Sequence, residues 1–416
     1  FNRALRVQPE FPAATLALAR VEELDGNMGE ASELYQGLVR STDKPAVPLL
    51  ALARLAELQG NKQDVEKWLK QARESAPDDA RPPQFLAEYY LRENQLDKAK
   101  QMLREAISIA PEAPGLLLEG RILIANGQFK EALVPLTRLV NDDPSSSAAR
   151  ILLGQSLLQL GQYQGARTEL EAALQQQPGN LSALALMTKL EMEQDRMDQA
   201  LDYSRRIQQL YPELYLGYEV EGDIWKQRQD YAMAVKGYLQ AWERKQSSSL
   251  VTKLAASLID SGGADEGVKR LQDWLVDNPE DADVMQSLGL AYQELGQDDK
   301  AMQEYQRLLD KEGDNPVALN NLAWIYLQAN KPEALELAER AYQIDPENPG
   351  IMDTYGWIQV QQGRVDAGLR LLAQAMEQLS DNLEVRYHYG VALYKAGNKD
   401  QARQILEELV AEGGSF

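Results

Sequence analysis

One histidine, no cysteine and a surplus of carboxylates are all that this chain of 416 residues offers a catalyst. The histidine is His388, with Tyr387, Tyr389 and Tyr394 around it on one amphipathic stretch. A catalytic triad needs a nucleophile and an orienting acid around the imidazole, and a His-rich metal site needs more than one imidazole. His388 therefore reads as packing or as part of a binding surface. Carboxylate runs such as Asp298-Asp299 and Glu407-Glu408 lack the spacing of a calcium loop. Gly262-Gly263 lacks the Lys-Ser or Lys-Thr that completes a phosphate-binding loop. Without cysteine, thiol catalysis, disulfides and thiolate metal sites are excluded. No enzyme activity, metal or cofactor is expected.

Binding chemistry is better represented. Helical periodicity places three sets of residues on one face of three alternate helices. They are Asn320, Asn321 and Trp324, then Asp353, Thr354 and Trp357, then Tyr387, His388, Tyr394 and Lys395. Amides pair with a peptide backbone and rings grip side chains, so this ladder suits an extended peptide. Stacked Trp and Tyr also suit a polysaccharide. Packing between neighbouring helices is the competing reading for Trp324 and Trp357. The corresponding face in the middle of the chain, Leu117, Leu118, Arg121, Ile151, Leu152 and Gln155, reads as a more apolar wall.

The elements that position these residues follow from a period of about 34 residues. The segment Pro316–Pro346 shows it most cleanly: a helix from Pro316 to about Gln328, a tight turn, a second helix from about Pro332 to Gln343, and a stop at Asp345-Pro346. Helix-ending prolines recur at Pro9, Pro77, Pro111, Pro144, Pro178, Pro212, Pro279 and Pro346, one or two periods apart. Asp43, Gln246 and Gly313 stand at the skipped marks. Proline there cannot continue a helix. Twelve units begin near residues 12, 46, 80, 113, 147, 181, 215, 248, 282, 316, 349 and 383, as one continuous array over 12–416. Residues 1–11 read as half a helix of a truncated preceding unit, which leaves room upstream for a signal peptide or lipid anchor.

Each first helix carries one small residue: Ala19, Ala53, Ala87, Gly120, Gly154, Gly222, Ala255, Gly289, Ala323, Gly356 and Gly390, with Thr188 the one departure. About twelve residues on, the second helix is small as well, Val65 departing. Small residues at both places let paired helices approach to about 8 Å. Glycines between the helices, such as Gly26, Gly60, Gly161 and Gly296, supply the left-handed turn. Ser145-Ser146-Ser147 and Ser247-Ser248-Ser249 fall at unit junctions, where they can cap the next helix.

The formal net charge is -21. Phosphate binding needs clustered Lys and Arg, so nucleic acid and anionic membranes are poor partners. The acidity reads as solubility, or as a surface for a basic partner. No run of about 18 apolar residues spans a bilayer.

These features resemble the tetratricopeptide repeat, a 34-residue helix–turn–helix unit. Gly289, Tyr292, Gly296, Ala301 and Tyr305 match its pattern, as do Gly154, Gly161, Tyr163, Ala166, Ala173 and Pro178. The resemblance covers essentially the whole chain. It implies an all-α, right-handed superhelical solenoid of about twelve repeats, with first helices lining a concave groove. It also places Asn321 where such domains often grip a peptide backbone. The Lys of their carboxylate clamp has no match, since Asn320 stands there. The C-terminal third, through ALNNLAWIYL (318–327), ALELAERAY (334–342), DTYGWIQVQQG (353–363), VRYHYGVALYKAG (385–397) and the tail Gly413–Phe416, resembles the tetratricopeptide lipoproteins of bacterial exosortase/PEP-CTERM systems. That resemblance implies a non-catalytic, membrane-anchored periplasmic scaffold tied to exopolysaccharide and biofilm export. A polysaccharide-binding module and a cytoplasmic adaptor are the alternatives.

Overall fold

The computed structural model describes residues 11–110 and 115–412. The half-helix expected at residues 1–11 lies, but for Phe11, outside the described residues. So do Pro9, Pro111 and the tail Gly413–Phe416. Every regular element among the described residues is a helix, and there are twenty-four. They fall into two compact units, Phe1–Leu210 and Tyr211–Phe416.

In the first unit the pairs are α1 (Pro12–Leu24) with α2 (Met28–Ser41), α3 (Ala46–Leu58) with α4 (Lys62–Ser75), and α5 (Arg81–Arg92) with α6 (Leu96–Ile109). They continue as α7 (Gly115–Ala125) with α8 (Phe129–Asp142), α9 (Ser147–Gln159) with α10 (Tyr163–Gln176), and α11 (Leu181–Glu193) with α12 (Met197–Leu210). In the second unit they are α13 (Leu216–Gln227) with α14 (Tyr231–Trp242), α15 (Ser248–Asp260) with α16 (Ala264–Asp277), and α17 (Ala282–Glu294) with α18 (Asp298–Glu312). The last are α19 (Pro316–Gln328) with α20 (Ala334–Ile344), α21 (Pro349–Gln361) with α22 (Val365–Gln378), and α23 (Leu383–Lys395) with α24 (Lys399–Ala411). Within each unit a helix packs on its pair-mate and on the next pair, as in a solenoid.

Local chemistry sets the ends. Ser146, Asn180, Ser247, Asp281, Asn315, Asn348 and Asn382 each accept a backbone N–H from the first turn of the helix that follows. Each such cap is worth about 1 kcal/mol. Between the helices of every pair one residue takes a positive φ. In eight pairs it is glycine; in the other four it is Asn94, Asp195, Gln229 or Asn330. The turn geometry is thus kept where the glycine is lost, and a side chain bears the left-handed conformation. α20 begins at Ala334, two residues later than the pattern predicts, after Asn330 has turned the chain.

The small positions are steric. A methyl group on Gly120 would lie 2.5 Å from Leu136, on Gly154 2.8 Å from Leu170, and on Gly222 2.6 Å from Tyr238. In all three the obstructing residue stands sixteen positions later, on the second helix. Thr188 departs from the rule where that residue is only Ser204, and both are fully buried. Their hydroxyls donate to the backbone carbonyls of Leu184 and Leu201, so neither is left without a partner. Val65 is buried in one apolar cluster with Ala53, Leu69 and Leu86.

Candidate functional site

The residues of the C-terminal ladder come together in the second unit, mostly facing each other. His388 Nδ1 is 2.8 Å from Asp353 Oδ2. The imidazole stacks on Trp357, ring centres 4.3 Å apart at 18°. Trp324 lies 5.8 Å away on another side, and Tyr387 packs against Trp357. Trp357 is 7% exposed and His388 3%. Asp353 and Thr354 are buried too, Thr354 donating its hydroxyl proton to the carbonyl of Gly350. The whole run Ile351–Val360 of α21 is buried, between α19, α20, α22 and α23.

Asn321 is committed within the chain. Its Nδ2 donates to the Tyr305 hydroxyl at 3.2 Å, which donates to Gln293 Oε1 at 3.1 Å. Burial pushes the Tyr305 phenol up to about 12, against the opposing effect of the Asn321 hydrogen bond. Asn320 and Trp324 are half-buried. Asn320 Oδ1 and Asp353 Oδ1 are buried acceptors without a hydrogen-bond partner among the described residues, at about 1–3 kcal/mol each. Only Tyr394 and Lys395 of the ten are exposed. The Lys395 ammonium donates to Gln361 Oε1 at 3.2 Å, with Trp357 6.0 Å away. In the middle of the chain Leu118 and Ile151 are core residues, while Arg121 is exposed.

The first unit carries an open cavity of about 600 Å³ lined mostly by α1, α3 and α5, with Tyr35 of α2 and Val65 and Leu69 of α4. Its apolar lining includes Leu16, Val47, Leu50 and Phe85, and its charged lining Arg20, Arg54, Glu57, Arg81, Glu88 and Arg92. Phe85 is 43% exposed and Val47 41%, and the two lie in one cavity lining rather than singly on the surface. The guanidiniums are held by a carboxylate scaffold. Arg54 donates to Glu23 at 2.6 Å, and the Tyr35 hydroxyl donates to the same oxygen at 3.1 Å. Burial and the Glu23 charge push the Tyr35 phenol up. Arg92 pairs with Glu57. Arg81 donates to Asp79 at 2.6 Å and holds that carboxyl below the usual carboxylate range. Arg20 is exposed and forms no ion pair among the described residues. None of these residues stood out in the C-terminal ladder. The signal was the residue after each small first-helix position, Arg20, Arg54 and Glu88, one period apart.

No group of three or more His, Asp or Glu side chains able to hold a metal ion occurs among the described residues. Stacked antiparallel helix pairs with an apolar, cation-lined concavity define a helical-repeat scaffold of the kind that binds proteins. The chain is built of tetratricopeptide repeats. Models of that repeat match residues 157–213 and 359–415, 1–45 and 117–180, 283–314, and 84–112. It is similar to the TPR repeat-containing protein PA4667 of Pseudomonas aeruginosa, 27% identical over 138 residues. That match takes in 33% of this chain and 23% of the relative, so the chain spans less than a quarter of its length. Among solved structures, yeast Tom70 superimposes with a TM-score of 0.55 at 14% identity, over 95% of this chain and 97% of that one. PilW, a type IV pilus biogenesis factor, gives 0.47 at 20% identity, over 51% of this chain and 98% of that one. Tom70 shares the fold. No described helix is long and apolar enough to cross a membrane.

Proposed function

We propose that this protein is a non-catalytic scaffold that holds an extended segment of a protein partner on the first helices of its first unit. The observation that carries the reading is the open cavity, which combines exposed Phe85 and Val47 with guanidinium donors. Rings and arginines are the residue types that dominate binding energy at protein interfaces. Arginine forks also pair with peptide carbonyls and carboxylates. The aromatic ladder of the second unit then serves to lock repeats together. With Trp357 covered on all but 7% of its surface, it offers a polysaccharide little to stack on.

The setting we propose is the bacterial envelope, in exopolysaccharide, biofilm or exosortase-associated export. The resemblance of the C-terminal third to lipoproteins of those systems supports it. The binding reading is tested by selecting linear peptides from a random library on the full chain. Peptides whose binding is lost in Phe85→Asp are expected. A selection that yields only peptides indifferent to Phe85→Asp contradicts the groove assignment.

A further inference from the structure

The position after the small first-helix residue differs in charge between the two units. In the first unit it reads Arg20, Arg54, Glu88, Arg121, Gln155 and Lys189: four cations against one carboxylate, in a chain of net charge -21. In the second it reads Asp223, Ala256, Leu290, Trp324, Trp357 and Val391, with no cation. We propose that the partner segment held by the first unit is acidic, its carboxylates seated on this row of cations. The proposal rests on the groove reading above and names the chemistry of what binds there.

The geometry supports the row as a surface. Arg20, Arg54 and Glu88 line one cavity together with the exposed Phe85. Arg20 and Arg121 are exposed and form no ion pair among the described residues. Arg54 gives one nitrogen to Glu23 and keeps about half of its side chain in solvent. Lys189 is about as exposed, with Glu193 3.6 Å away on its own helix. The first helices α5, α7, α9 and α11 touch in succession. Packed helices lie about 8–10 Å apart, and a segment in the polyproline II conformation advances about 3.1 Å per residue and returns every third side chain to the same face. A carboxylate at about every third residue therefore keeps step with the row. Charge-assisted Arg–carboxylate pairs are roughly twice as strong as neutral hydrogen bonds. A nucleic acid would also meet cations, but its backbone carries a charge at every step, whereas a peptide can place an uncharged residue opposite Glu88, which lines the same cavity as Arg20 and Arg54.

The test uses the full chain and fluorescein-labelled peptides of equal length, apolar at the intervening positions and carrying Glu, Gln or Lys at every third position save an alanine at the step that meets Glu88, with a labelled oligouridylate beside them. Anisotropy is read at low and physiological salt. The Glu peptide is expected to bind at least tenfold more tightly than the Gln peptide and to weaken with salt, while the Lys peptide binds weakest. Arg20→Glu with Arg121→Glu is expected to abolish the Glu preference at an unchanged melting temperature, both residues being exposed and free of ion pairs among the described residues. Phe85→Asp should weaken both the Glu and the Gln peptides, the Glu peptide more, because the new carboxylate adds repulsion to the lost ring contact. Equal binding of Glu and Gln peptides, both sensitive to Phe85→Asp, overturns the acidic partner and leaves the groove standing. Peptide binding indifferent to Phe85→Asp overturns both. Tighter binding of the oligouridylate than of the Glu peptide overturns the proposal in favour of nucleic acid.

Discussion

His388 Nδ1 and Asp353 Oδ2 lie 2.8 Å apart across two adjacent repeats, thirty-five residues apart in sequence and both more than nine-tenths buried. The pair ties α23 to α21 and holds the imidazole flat against Trp357. Removing one partner leaves the other buried and unsatisfied. His388→Phe, which keeps a ring against Trp357 and orphans the buried Asp353 carboxylate, is therefore expected to lower the stability of the second unit by roughly 1–3 kcal/mol. Urea unfolding followed by tryptophan emission measures it. An unchanged midpoint would show that the contact carries no stability.

The small-residue rule predicts a sharper effect at Gly289. A methyl group there would sit 2.6 Å from Tyr305 Cε1. Gly289→Ala should cost about 1–3 kcal/mol through overpacking. Adding Tyr305→Leu should recover part of that loss, because Ala53 and Leu69 occupy the same two positions in the second repeat. Strictly additive losses in the double variant would contradict direct contact.

Gln229 bears a φ of 61° at a turn where eight other repeats use glycine. A left-handed conformation costs a side-chain-bearing residue about 1–2 kcal/mol. Gln229→Gly should raise the melting temperature, and a lower one would mean that the side chain stabilises the turn.

Burial pushes the carboxyl of Glu119, on α7, above the usual range. A carboxyl with a raised folded-state pKa holds its proton more tightly in the folded chain. Its contribution is then favourable below the unfolded value and is lost as pH rises through the folded value. Glu119→Gln should accordingly melt higher than the natural protein at pH 7, with the gap closing below about pH 4. A gap that widens on acidification would reverse the assigned sign.

The fold was legible because the period repeats its steric demands twelve times. Gly154, Gly161 and Ala166 each announce a close approach or a turn. The turn at Gln229 was not legible, since nothing in Arg228-Gln229-Asp230 marks a left-handed residue. The site was harder. Periodicity grouped Asn320, Trp324, Asp353, Trp357 and His388 on neighbouring first helices, but it does not say whether a first-helix side chain meets a ligand or the next repeat. In the structure Trp357 meets His388, and Asn321 meets Tyr305. The net charge hid the opposite surface: a total of -21 says nothing about a row of cations spaced one repeat apart.

The central claim is that the first helices of the first unit, rather than the second helices, receive the partner. It is tested most directly by placing a benzophenone side chain at Phe85 on α5, or at Val134 on α8, which is 75% exposed, and irradiating each with a library-selected peptide. Cross-linking from position 85 and none from position 134 is predicted. Cross-linking from 134 without 85 would contradict the account.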